Sequence, residues 1–375
     1  MSARIRAVDV FPVSCTLPRP VGDGQGLQPV RRSTFVRVTT DDGAYGWGEG
    51  GSPIPGAMLV RDRTAPELIG LDALDTDLVR DRVLRHGLGR GMVGALDTAL
   101  WDLKGKLLNL PVVRLLGGAR RSRVPAYASL HNYSDSTDCA DELRALVEDA
   151  RGRGFRALKL KIGGRSLPED ARYLQVAREA AGPTMGLMAD ANQCYELPQA
   201  VWMGRLLQDL DFVWFEEPLR RGDLRGYAEL RTRLTIPIAG GEGSQSAADL
   251  QPLLHERAID ISQPDVAGVG GISEARLLPR LAALWGVMPT FHVWNSPLVA
   301  IATLHLLANQ EPWRPLSTDP QSPPLEFTTM PNPMREALLV GAPNVGSDGH
   351  LSLPEGTGLG VDIALDALRA YALDI

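Results

Sequence analysis

The chain has 375 residues, of which 44% are hydrophobic and 22% charged, with a formal net charge of −6. That length predicts two domains rather than one core, and the composition is that of a globular protein. An acidic balance without a basic cluster interleaved with aromatics argues against a nucleic-acid partner.

The opening Met1–Val10 lacks the apolar stretch of a signal peptide, and no later run is long enough to span a membrane. A cytoplasmic protein with no membrane partner is expected. Cys15, Cys139 and Cys194 stand far apart without metal-ligand spacing and read as free thiols. Ile5 to Val13 alternates as a strand. Pro18 to Gly26, rich in glycine and proline, reads as a mobile loop of the kind that acts as a lid. Thr34–Thr40 and Ala44–Gly48 flank Asp42-Gly43 as a hairpin. Helical stretches follow near residues 64–85 and 92–109; in the second, Leu96, Ala99, Leu100, Leu103 and Leu107 recur at helical spacing.

From about residue 125 strands alternate with helices. Strand candidates cover 124–128, 157–162, 186–189, 212–216, 236–240, 259–263, 287–291 and 324–327. Alternation implies a parallel sheet, and eight units imply closure into a (β/α) barrel of the TIM class; a doubly wound open sheet is the alternative. The tail beyond residue 340, with a strand-like Gly358–Ile363, is expected to pack back on the first segment.

Asp190, Glu216 and Glu242 stand 26 residues apart, each at the end of an apolar run. One strand, loop and helix unit occupies roughly 25–30 residues, so the spacing places the three carboxylates at the C-terminal ends of successive strands, where barrels keep their chemistry. Crowded carboxylates repel unless a cation holds them, and all-oxygen ligation suits one Mg²⁺ ion. In Glu216-Glu217 only one side chain faces inward on a regular strand, and Glu216 keeps the spacing and the parity of Trp214. In Leu158-Lys-Leu-Lys-Ile162 the aliphatics pack on helices, so Lys159 and Lys161 point inward. Repulsion and desolvation favour a neutral amine, and Lys161 reads as a general base, or as a simple counter-ion of the acids. Asp265 and His292 end neighbouring strands as a dyad in which the carboxylate fixes the imidazole tautomer. Glu326, at the end of the eighth strand, is a candidate hydrogen-bond donor if protonated. Asn192 and Gln193 either meet metal or substrate or cap their loop; His131 and Asn132 either contact substrate hydroxyls or cap theirs. Gly268-Val-Gly-Gly271 lacks the full dinucleotide fingerprint and reads as a close-packing turn. Together these groups suit removal of a proton from the carbon next to a carboxylate, through an ene-diolate. Reprotonation then gives racemisation, loss of a β-hydroxyl gives dehydration, and expulsion of a ring oxygen gives cycloisomerisation.

With Asp42-Gly43, Gly46-Trp-Gly-Glu49, Ala95–Gly105, Lys159-Leu-Lys161, Asp190-Ala-Asn192, Glu216-Glu-Pro218, Gly240-Gly-Glu242, Gln263-Pro-Asp265 and His292 in this order, the chain resembles the mandelate racemase subgroup of the enolase superfamily. The resemblance implies a modified TIM (β/α)-barrel at residues 125–339 under an α+β capping domain at 1–124, completed by 340–375. It implies a divalent ion on Asp190, Glu216 and Glu242, with Lys161 as one base and the His292–Asp265 dyad as the other. Lys159 would lie against the substrate carboxylate, and residues 18–32 would close over it. His292-Val-Trp294, Leu325-Glu-Phe327 and Asn332-Pro333 look most like sugar-acid members, including dehydratases and a lactone cycloisomerase. Members are often symmetric homo-oligomers. The expected activity is Mg²⁺-dependent dehydration of a sugar acid, with a racemase, epimerase or sugar-lactone cycloisomerase as the alternative.

Overall fold

The computed structural model describes residues 3–51, 54–130, 140–294, 297–314 and 321–375. His131, Asn132 and Cys139 lie outside the described residues. Among the described residues, no helix is long and apolar enough to cross a membrane.

The first segment is an antiparallel sheet of β1 (Ile5–Asp23), β2 (Gly26–Thr40) and β3 (Tyr45–Gly50), in that order. The Gly-Pro stretch expected to be a loop is instead the far half of a long ribbon. β1 is an edge strand, so Pro18 and Pro20 cost no inner ladder bond, and the register shifts between Thr16 and Val21 where they sit. The helix expected over 64–85 is also interrupted. Ala65–Leu68 ends before Gly70, which has φ +81°, and Asp72 bridges to Arg4 before Thr76–Leu84 resumes.

The helix Arg90–Leu108 is the hub of this segment, with 13 of its residues buried, as expected of a helix covered on nearly all sides. One face lies so close to β3 that a Cβ on Gly48 would fall 1.9 Å from the Ala95 carbonyl oxygen. Its other face meets the barrel. Asp97 accepts a hydrogen bond from the Ser273 amide at 2.9 Å, and a Cβ on Gly271, at φ +98°, would meet that carboxylate. The glycine turn 268–271 is therefore a close-packing turn between the two layers.

The barrel strands are β4 (Arg123–Leu130), β5 (Ala157–Lys161), β6 (Gly186–Asp190), β7 (Trp214–Glu216), β8 (Ile238–Gly240), β9 (Ile261–Ser262), β10 (Met288–Pro289) and β11 (Leu325–Thr328). All pair parallel in sequence order, β11 returns to β4, and a bridge from Phe291 to Leu325 joins the last two. Helices between successive strands cover the outside, where Leu158, Leu160 and Ile162 pack. Tyr127, Met188, Trp214, Ala239 and Ile261 form an apolar cluster of their own, with Tyr127 and Trp214 edge to face at 5.4 Å. This plug fills the interior beneath the charged residues, and truncating Trp214 to Ala would cost about 3–5 kcal/mol.

The tail divides its contacts. β12 (Leu339–Val340) pairs with β14 (Asp362–Ile363), while β13 (His350–Ser352) adds an antiparallel strand to β4 of the barrel. The tail also reaches the first segment: the Leu359 amide donates to Asp102 at 2.8 Å, Tyr45 donates to Asp362 at 2.8 Å, and Ala372 bridges to Val13. The result is a modified TIM barrel with an α+β cap built from both termini.

Candidate active site

Strand register assembles the site. Lys161, Asp190 and Glu216 are direct neighbours across β5, β6 and β7, which is the physical content of their regular spacing. Glu242 follows the end of β8. Ligand atoms of Asp190, Glu216 and Glu242 lie within 4.8 Å of one another. Both Lys159 and Lys161 point into the barrel. Lys159 Nζ is 2.5 Å from Glu216, 2.9 Å from Glu326 and 3.6 Å from Asp190, and Lys161 Nζ is 2.5 Å from Asp190.

Each lysine thus lies at ion-pair distance from a carboxylate. Burial opposes each ammonium, but Glu216 and Glu326 around Lys159, and Asp190 beside Lys161, outweigh it and raise both values. The carboxylates respond unequally. Burial works against Asp190, yet Lys161 and Lys159 hold it well below the usual carboxylate range. Glu216 is pushed up to about 8 by burial and by the charge on Asp190.

Glu216 also accepts from Gln263 Nε2 at 2.8 Å and Trp214 Nε1 at 3.1 Å. Sequence reasoning gave Gln263 no role of its own, although its place two residues before Asp265 at the end of β9 was the available signal. The neighbouring Glu217 turns away at φ +37° and takes a two-point ion pair from Arg221, which also reaches Glu242. Arg221, four residues past Glu217, was likewise missed.

Across the mouth, His292 Nδ1 lies 3.0 Å from Asp265 Oδ2, and Asp265 Oδ1 accepts from the Gly268 amide at 2.8 Å. His292 Nε2 faces Glu242 at 3.4 Å. Burial alone would lower the imidazole, but Glu242 and the Asp265 hydrogen bond raise it to about 10. Glu326 is fully buried, accepts from Ser129 Oγ at 2.6 Å and from the Val293 amide at 3.0 Å, and lies at the Lys159 ammonium. Asn192, at φ +42°, donates its amide to Asp190 at 2.9 Å, while its own Oδ1 is buried with no hydrogen-bond partner. Gln193 caps the Arg221 amide at 3.1 Å. Cys194 is half-buried, and burial pushes its thiol up to about 11, so it is no activated nucleophile.

The ribbon covers this mouth. Its tip donates from Gln25 Nε2 to the Asn192 carbonyl at 2.6 Å. Asp23, Gln25 and Gln28 of the ribbon, with Asn192, Arg221, Glu242 and Trp294, line a cavity of about 550 Å³. Arg31 stacks on Trp294 with its guanidinium carbon 4.6 Å from the ring centroid. The residues fit a hard divalent ion: three converging carboxylates supply only oxygen, and the buried Glu242 Oε2 accepts no hydrogen bond, facing the His292 imidazole at 3.4 Å.

The family of mandelate racemase and muconate lactonizing enzyme N-terminal domains matches residues 7–117, and the family described as enolase C-terminal domain-like matches residues 142–367. The chain belongs to the enolase superfamily, in its mandelate racemase subgroup. It is 36% identical over 352 residues to D-galactarolactone cycloisomerase of Agrobacterium fabrum, covering 92% of each chain. It is 31% identical over 347 residues to arabinonate dehydratase of Saccharolobus solfataricus, covering 90% of this chain and 89% of that one. Among solved structures, a racemase from Streptomyces coelicolor A3(2) with bound magnesium superposes with a TM-score of 0.87 at 27% identity, covering 98% of this chain and all of the other. Members of the superfamily related to this chain thus include acid-sugar dehydratases and cycloisomerases.

Proposed function

We propose that the protein abstracts the proton α to the carboxylate of a sugar acid and completes the reaction by dehydration. The observation that carries this reading is the placement of Lys161 and His292 on either side of one carboxylate trio, Lys161 against Asp190 and His292 facing Glu242. Asp190, Glu216 and Glu242 would hold a Mg²⁺ ion, which supplies positive charge to offset an ene-diolate.

Lys161 takes the α-proton. Its present counter-ion is Asp190, so engagement of that carboxylate elsewhere frees the amine for base work. Asp265 anchors Nδ1 of His292, which leaves Nε2 to deliver a proton to the departing β-hydroxyl. Lys159 supplies fixed positive charge for the substrate carboxylate against the acidic background of the chain, and Glu326 with Ser129 holds that lysine in place. Asn192 Oδ1, buried and without a partner, is suited to accept from a substrate hydroxyl. The ribbon tip shields the reaction from water.

A second reading is supported by the cycloisomerase relative at 36% identity. The same two groups, acting on a sugar lactone, would expel a ring oxygen instead of a hydroxyl. Proton NMR of the Mg²⁺-loaded protein with a library of acid sugars and their lactones in D₂O separates the two. Loss of the α-proton with a new keto-acid methylene signal is the expected result. A ring-opened product from a lactone would replace dehydration by cycloisomerisation, and α-proton exchange alone would replace it by racemisation or epimerisation.

A further inference from the structure

A second cavity, of about 750 Å³, opens at the other end of the barrel. Pro289 in its wall belongs to β10, whose chain runs on to His292 at the mouth, so the cavity lies beneath the barrel and away from the carboxylate trio. Among the described residues five arginines line it, Arg114, Arg120, Arg276, Arg280 and Arg314, against one acid, Glu311. The described wall thus carries a local net charge of +4 in a chain of net charge −6.

Glu311 is committed to Arg120 at 2.8 Å. Arg276 lies over the face of Trp101 at 5.4 Å. Among the described residues, the guanidinium groups of Arg114, Arg280 and Arg314 make no hydrogen bond or ion pair. They come from segments far apart in sequence, so their convergence is a product of the fold. Like charges gathered this way repel, and a multivalent anion relieves the repulsion while matching the planar donor forks.

Gln310 adds an independent demand. It is 8% exposed, and its Nε2 donates to the Pro289 carbonyl at 2.8 Å. Its Oε1 is buried with no partner although the residue lines the cavity. A buried acceptor left unpaired is costly, and a hydroxyl group satisfies it. Leu116, Pro279 and Trp313 supply apolar wall for a carbon skeleton.

We propose that this cavity binds a small hydroxylated phosphate ester, with its phosphate on the arginines and a hydroxyl on Gln310. A phosphate dianion offers three oxygens to several guanidinium groups, where a carboxylate offers two.

Isothermal titration calorimetry of the full chain in magnesium-free buffer with EDTA, using glucose 6-phosphate, inorganic phosphate and glucose, tests this. Glucose 6-phosphate should bind, inorganic phosphate about tenfold more weakly, and glucose not at all. Arg280→Ala combined with Arg314→Ala, both exposed positions, should weaken both anions by at least about tenfold. Gln310→Leu should erase the advantage of the ester over inorganic phosphate. No binding of the ester at about 10 mM, or binding unchanged by the arginine replacements, would overturn the site. Equal affinity for ester and inorganic phosphate in the wild-type chain would overturn the ester assignment.

Discussion

At the mouth of the barrel Lys159, Asp190 and Glu216 are at most 1% exposed, and each touches an opposite charge; at the base Arg114, Arg280 and Arg314 are exposed and, among the described residues, touch none. The two ends are built on the same eight strands, so the difference lies in what places the charges. Strand register carries the mouth residues into a low-dielectric interior, where an unpaired charge is costly and pairing obligatory. Helices and turns carry the base residues, which stay solvated and tolerate isolation. Buried, paired and fixed charge is the condition for electrostatic catalysis, whereas solvated charge is the condition for capturing an ion from solution.

The sharpest way to break this contrast is to disturb the mouth without moving the fold. Asp265→Asn should lower turnover by about 10²–10⁴-fold with little change in melting temperature, because the imidazole loses its anchored tautomer. Steady-state rates beside thermal melts check both halves. Glu242→Gln should weaken Mg²⁺ binding in calorimetry by at least the about 10–100-fold typical of losing an outer partner.

A smaller effect lies between the two ends. His305, on the helix Pro297–Asn309, is fully buried and meets the Leu359 carbonyl at 3.1 Å; burial pushes it down to about 4 from an ordinary 6.5. The unfolded chain therefore binds more protons between those values, and this contribution is complete above pH 6.5 and lost as pH falls toward 4. The loss is on the order of 3 kcal/mol at most, and His305→Gln should lose less stability than the wild type in denaturant melts over the same interval. The smallest effect belongs to the base. Arg280→Glu should raise the melting temperature by about a degree at low ionic strength, and the gain should vanish in about 0.5 M salt.

The sequence made the mouth legible for a physical reason. Units of equal length in a parallel barrel bring equally spaced residues into register, so Lys161, Asp190 and Glu216 could be placed as neighbours before any coordinates. Glu216 could be chosen over Glu217 by strand parity, and Glu217 does turn away to Arg221. What escaped depends on contacts between elements. The prolines of the ribbon read as a loop because nothing local reveals that β1 is an edge strand. The lysines could be placed beside the acids, but strand register does not show that each ammonium reaches ion-pair distance of a carboxylate. The arginines of the base carry no spacing signal, since turn, helix and loop bring them together from positions 114 to 314.

The proposed division of labour gives Lys161 and His292 the proton transfers and leaves the metal to the carboxylate trio. The most direct test follows the α-proton of the sugar acid that the library identifies, by NMR in D₂O, with wild type, Lys161→Ala and His292→Asn, each also titrated with Mg²⁺. Both variants should bind Mg²⁺ and show no product, a loss of at least about 10²–10⁴-fold. Product formation surviving in both would contradict the account.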